Sequence, residues 1–223
     1  MVRSVATAAT ILAFTGIALE AQQTARPMSP EGSAQTQVLG KWTKGERPSF
    51  SLGRENYVGG KWIEITYGRP LQRQRDLFGS GPNYGKAIND VGTANLPAPP
   101  VWRAGANVST RLRNQMPLEV GGKRVPAGEL VMLIDLKSDK NWTLILTKQS
   151  YVTNFDPANT KDLYGGFNYR PDNDVARAPM TVERLPYSVD QLMWWFTDVT
   201  PAGGTMRIAW ERMTASVPFK ILQ

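Results

Sequence analysis

From Gly40 to the C-terminus, short strand-like runs alternate with glycine and proline punctuation, and no long amphipathic helical period interrupts them. The chain holds 20 glycines and 16 prolines in 223 residues, so breaks recur too often for long helices or long βα units. The expectation is an all-β fold: a single β-sandwich over residues 35–223 with Greek-key or jelly-roll-like connections. The clearest strand is Lys61–Tyr67, where Ile63, Ile65 and Tyr67 share one face and Trp62, Glu64 and Thr66 the other. Val108–Arg113 alternates as well. Leu130–Leu136 is apolar almost throughout, as a strand covered on both faces would be, and Trp142–Thr147 is its expected hairpin partner. Further runs are Met180–Leu185, Gln191–Val199, Met206–Met213 and Val217–Leu222. Lys86–Pro100 has no period and carries several prolines, so it reads as an irregular loop inserted around residues 86–100.

Ahead of the folded part, Met1–Ala21 reads as a secretory signal: Arg3 supplies the charged start, and Val5–Leu19 is a short apolar run. That run is shorter than the roughly 20 residues of a membrane span, and no later stretch is apolar enough to be one. Polar Gln22–Ala34 is expected to be a flexible lead-in. An exported protein, periplasmic or extracellular, is therefore expected. With no cysteine, it must rely on the size of its core rather than on disulfides.

The same composition excludes chemistry. The chain has no histidine and no cysteine, which removes Ser-His-Asp triads, thiol nucleophiles and conventional zinc or copper sites. No phosphate-binding glycine loop or dinucleotide fingerprint is present, and no cofactor or metal is expected. Asp172-Asn173-Asp174 beside Pro171 reads as a turn rather than a Ca²⁺ loop, and Ser109 with Lys123 or Lys148 has no spacing that suggests a pair. The net charge of +7 comes from scattered basic residues. It favours a mildly basic surface over a nucleic-acid site.

Two kinds of candidate survive. Glu64 and Glu211 are the carboxylates best placed in strands to act as an acid/base pair, as glycoside hydrolysis would need. Arg69 and Arg103 each follow a strand-like run beside a glycine. There a guanidinium can hold a carboxylate or phosphate bidentately, or instead tie loops to carbonyls or to Glu64 or Asp76. Among the seven tryptophans, Trp194 belongs to the more apolar face of its run. Trp195 and Trp62 share faces with polar residues, where each is either covered or offers a flat stacking platform.

Several segments carry a family likeness: Tyr67-Gly68-Arg69-Pro70, Arg75-Asp76-Leu77-Phe78-Gly79, Trp102-Arg103-Ala104-Gly105-Ala106-Asn107 with Thr110, and Gly121-Gly122-Lys123 with Val125-Pro126-Ala127-Gly128. Trp142-Thr143 with Lys148, Asp174-Val175-Ala176-Arg177 and Trp210-Glu211 follow in order. From about Ser29 onward the chain resembles the bacterial exported family catalogued as domain of unknown function 2911. The resemblance implies an exported β-rich domain and supplies no activity. Val108 stands where such proteins often carry an acid, and the Lys86–Pro100 insertion is longer than the family pattern.

The preferred expectation is a non-catalytic, exported or envelope-associated binding domain. Its ligand would be a carbohydrate or small anion held by Arg69, Trp102, Arg103 and Asn107. The alternatives are a carbohydrate hydrolase using Glu64 and Glu211, and a structural or oligomerising module using Trp195.

Overall fold

The computed structural model describes residues 27–44, 55–89 and 99–223. Its strands, in chain order, are β1 (Glu31–Val38), β2 (Lys41–Lys44), β3 (Glu55–Val58), β4 (Lys61–Gly68), β5 (Thr110–Asn114), β6 (Leu118–Val120), β7 (Lys123–Val125), β8 (Gly128–Ser138), β9 (Asn141–Thr147), β10 (Asp174–Thr200) and β11 (Gly203–Ile221). The all-β expectation holds. β2 and β3 form a separate two-stranded ribbon, and the other nine strands hydrogen-bond in the order β1-β4-β5-β8-β9-β10-β11-β6-β7, every pair antiparallel.

The nine strands become a sandwich because β10 belongs to both layers. Asp174–Met180 pairs with β9, and from Thr181 onward the strand pairs with β11 instead. Register shifts between Arg184 and Val189, and again before Met193, bend it. Pro186 lies inside the first shift, where no backbone N–H is needed for the ladder. The strand then curls back until Gln191 bridges Leu71, just past the end of β4. Four short runs expected from the sequence are thus two long strands, bent at bulges rather than broken by turns.

One core fills the space between the layers. Ile63, Ile65, Leu112, Met132, Ile134 and Leu144 from one layer meet Leu192, Trp194, Ile208, Val217 and Phe219 from the other. The alternation expected for β4 is observed: Ile63, Ile65 and Tyr67 are buried, while Trp62 stays 45% exposed on the opposite face. β8 is covered on both faces, as its composition demands. Its outward Val131 and Leu133 pack with Ile145, Val101 and Leu163 in a second, smaller cluster. Trp194 and Trp195 divide as expected, with Trp194 in the core and Trp195 paired across from Arg207.

The last four residues of the lead-in expected over residues 22–34 are strand. β1 begins at Glu31, because Gly32 to Ala34 pair with Ile65 to Tyr67 and Ala34 is buried against the core. Backbone pairing to β4 supplies the order that these polar side chains do not advertise. The expected signal, Met1–Ala21, lies outside the described residues. Of the segment 86–100, Lys86–Asn89 forms one helical turn, α1, with Ile88 buried, whereas residues 90–98 lie outside the described residues. Asp172 and Asn173 sit in a 3₁₀ turn, and Asp174 accepts from Tyr169 and Arg177. Ser109 donates to the Gly165 carbonyl. No helix among the described residues is long and apolar enough to cross a membrane.

Candidate functional site

Three separate segments converge beyond the end of β4. The first runs on from Gly68 through Arg69 and Pro70. The Gln72 N–H donates to the Asp190 carbonyl (2.6 Å) and the Leu192 N–H to that of Pro70 (3.0 Å). Arg73 and Gln74 turn the chain in left-handed backbone, at φ 54° and 60°. Arg75 locks the turn, its Nε donating to the Gln72 carbonyl and its Nη2 to that of Leu71, at 2.9 and 2.7 Å.

The second segment is Trp102–Asn107. The Trp102 backbone exchanges two 2.8 Å hydrogen bonds with Ile134. Ala104 and Asn107 then take left-handed conformations, at φ 53° and 61°. Arg103 closes the loop, its Nη1 donating to the Asn107 carbonyl at 2.8 Å. Trp194 Nε1 anchors the bend through the Ala104 carbonyl at 2.9 Å. The loop lies so close to β4 that a Cβ on Gly68 would sit 2.1 Å from the Ala106 oxygen. Only glycine permits that approach. The third segment is the Trp210-Glu211 pair of β11, with Glu211 in left-handed backbone at φ 55°.

Two cavities lie on either side of this junction. The first, of about 270 Å³, is lined by Arg73, Arg75, Arg103, Asn107, Trp102 and Trp210, among others, and no carboxylate lines it among the described residues. The second, of about 420 Å³, is lined by Asp76, Asp139, Glu211, Arg184 and Tyr84, with Phe78 and several small residues. Arg75 and Leu77 face the first, Asp76 and Phe78 the second. Trp210 and Glu211 divide in the same way.

Arg103 is the distinctive group of the first cavity. It is 8% exposed. Its guanidinium lies over Gly165, where a Cβ would come within 2.7 Å of it. Its one hydrogen-bonded acceptor among the described residues is the Asn107 carbonyl, and none of their carboxylates pairs with it. Burial pulls its pKa below the ordinary arginine value, with Tyr164 opposing. Among the described residues, then, the buried guanidinium has one neutral acceptor and no counter-charge, a costly arrangement that an anion relieves.

Trp102, 2% exposed, stacks on Trp210 with ring centroids 6.1 Å apart and planes 14° from parallel. It meets Phe78 and Trp142 edge to face. Asn107 is exposed and donates to the Ser29 carbonyl at 3.3 Å. Trp102, Arg103 and Asn107 are thus brought together. Arg69 is not: its side chain lies along Gly32, and it lines neither cavity. Its backbone N–H and carbonyl instead hold Pro30 and Gln191.

The two glutamates are likewise separated. Glu64 points to the outer face of β4, where it accepts from Gln35 at 2.7 Å beside Arg113 and Trp62. Glu211 accepts the Leu77 N–H at 3.1 Å and lines the second cavity. Its companions there are Asp76 and Asp139, which sequence spacing did not connect to it. In the same cavity the Tyr84 hydroxyl accepts from Trp142 Nε1 at 2.9 Å, and burial raises its pKa well above the ordinary tyrosine range. Arg73 and Arg75 were also missed as lining residues. Alternation from Arg75 to Phe78 was the available signal for Arg75 and Asp76, whereas Arg73 depends on a turn that closes only against β10.

No group of three or more acidic residues among the described ones is arranged to hold a metal ion. Fold and site together define a two-layered β domain with a cationic, tryptophan-walled cavity beside a carboxylate-rich one. The family model described as Protein of unknown function (DUF2911) matches residues 52–219, and the chain belongs to that family. No curated protein and no solved structure matches the chain.

Proposed function

We propose that this protein is an exported, non-catalytic binding domain that takes a small anionic ligand in the cavity lined by Arg103. The observation that carries this reading is that Arg103, whose guanidinium is buried, is one of three arginines lining a cavity that has no carboxylate among the described residues. An incoming carboxylate or phosphate would supply the counter-charge that the described residues do not. Asn107 adds an exposed amide at the same wall. Glu64 and Glu211 line different cavities, so the hydrolase reading loses its pair. Export rests on the apolar start of the chain.

The test compares thermal unfolding of the purified mature protein in acetate, phosphate and chloride at equal ionic strength, for the wild type and for Arg103→Met. Acetate or phosphate should raise the wild-type midpoint above that in chloride and leave the variant unmoved. Equal shifts in both proteins would remove the site. Fractionation of cells expressing the full chain, with N-terminal sequencing of the product, tests export.

A further inference from the structure

We infer that the ligand of the Arg103 cavity is a small monoanion carrying a ring-sized apolar body, of the arylacetate type, rather than a polyanion or a phosphosugar. This rests on the anion-binding reading above and goes further, to the chemistry of the rest of the ligand.

Three observations carry it. First, of the three arginines that line the cavity, Arg103 alone is buried. Arg75 is already committed to the Leu71 and Gln72 carbonyls. Arg73 is exposed, its guanidinium against the Met28 sulfur. One buried fork matches one carboxylate. A diphosphate or tricarboxylate would need several buried cations, or backbone donors converging on it.

Second, one wall of the cavity is apolar. Trp102 and Trp210, stacked on each other, line the cavity with Leu77 and Ile88. One of the two ring nitrogens is spent within the fold, Trp210 Nε1 donating to the Asp190 carbonyl at 3.2 Å. An indole wall gains most from an aromatic or aliphatic ring and little from a sugar-phosphate.

Third, about 270 Å³ lies just below the usual range of ligand cavities, roughly 300–1,000 Å³. That volume suits a one- or two-ring metabolite and not an oligosaccharide.

The experiment is calorimetric titration of the mature protein with indole-3-acetate, its neutral isostere indole-3-acetamide, acetate and inorganic phosphate. The indole-3-acetate titration is repeated on Arg103→Met and on Ala87→Trp, the latter filling the cavity from an exposed position of α1. Indole-3-acetate should bind at least about 30-fold more tightly than the acetamide, and on the order of 50-fold more tightly than acetate. Ala87→Trp should weaken it about 10-fold or more without changing the response to acetate. If acetate or phosphate binds as tightly as indole-3-acetate and still requires Arg103, the ligand-class inference falls and the anion site stands. If the acetamide binds as tightly as the acid, or Arg103→Met binds the acid unchanged, the anion site falls and the inference with it. The wild-type comparison of acid with amide decides the question even if Arg103→Met folds poorly.

Discussion

The two cavities that flank Arg75–Phe78 are built from the same segments and are opposite in character. One gathers three arginines and no carboxylate among the described residues; the other gathers Asp76, Asp139 and Glu211 around a single Arg184. Neighbours in sequence separate because extended backbone sends successive side chains to opposite sides. Arg75 goes one way and Asp76 the other, and Trp210 and Glu211 divide likewise. The cavities also differ in how well their charges are met. Glu211 has the Leu77 N–H and Asp76 the Gly79 N–H, whereas the buried Arg103 has, among the described residues, a single carbonyl. A carboxylate that accepts a backbone N–H is provided for by the fold. A buried guanidinium that meets no carboxylate among the described residues is open to one that binds.

The largest expected effect belongs to that guanidinium. Arg103→Met should cost anion binding about 2–5 kcal/mol, read by calorimetry. The unliganded variant should be as stable as the wild type or more so, because a buried unpaired charge is replaced by an apolar side chain of similar length. A variant that instead unfolds several degrees earlier would make Arg103 a structural tie between the Asn107 and Gly165 loops. Gly165→Ala comes next. Gly165 sits at φ +62° with the Arg103 guanidinium over it, so alanine meets both left-handed strain and a displaced arginine. A stability loss of about 1–2 kcal/mol by denaturant titration is expected, with weaker anion binding alongside. Unchanged binding would show that the guanidinium does not need its present seat.

Much of this molecule is legible in its sequence. Alternation in Lys61–Tyr67 and the apolar run Leu130–Leu136 identify the central strands because burial is written directly into residue type. Trp102, Arg103 and Asn107 can be grouped because they share one short loop. What the sequence does not show depends on tertiary placement. Pro186 and its neighbours look like a break, yet β10 continues through them because a bulge needs no ladder N–H there. Arg69 resembles Arg103 in its local setting, but packing against Gly32 removes it from the cavity. Glu211 loses its expected partner, Glu64, because they lie on different faces of different layers; Asp76 and Asp139 join it only through folding.

The second cavity supplies the next test. Tyr84→Phe deprives Trp142 Nε1 of its acceptor and should cost about 1–2 kcal/mol at neutral pH. The same substitution has a pH signature. Burial holds the Tyr84 proton on in the folded protein at pH values where the unfolded chain, with a tyrosine pKa near 10.0, gives it up. That contribution is complete below about pH 10 and is lost as pH rises towards the folded value. Wild-type stability should therefore fall more steeply in alkali than that of Tyr84→Phe. Parallel pH profiles would show that Tyr84 does not carry the difference.

The smallest effects belong to the two glutamates, and they separate the cavities most sharply. Glu211→Gln keeps an acceptor for the Leu77 N–H and removes one negative charge from the second cavity only. Anion affinity in the first cavity should therefore change by no more than about twofold, rising if at all, since the lost charge repels the ligand through the shared wall. Glu64→Gln should do less still. Its carboxylate lies on the outer face of β4, accepting from Gln35, and glutamine can accept the same bond. Stability within about 0.5 kcal/mol of wild type and unchanged anion binding are expected. A large loss of binding from Glu64→Gln would mean that the outer face of β4 communicates with the Arg103 cavity through the sheet. A comparable loss from Glu211→Gln would mean that the two cavities act as one site, with the Arg75–Phe78 segment as its floor rather than its divider.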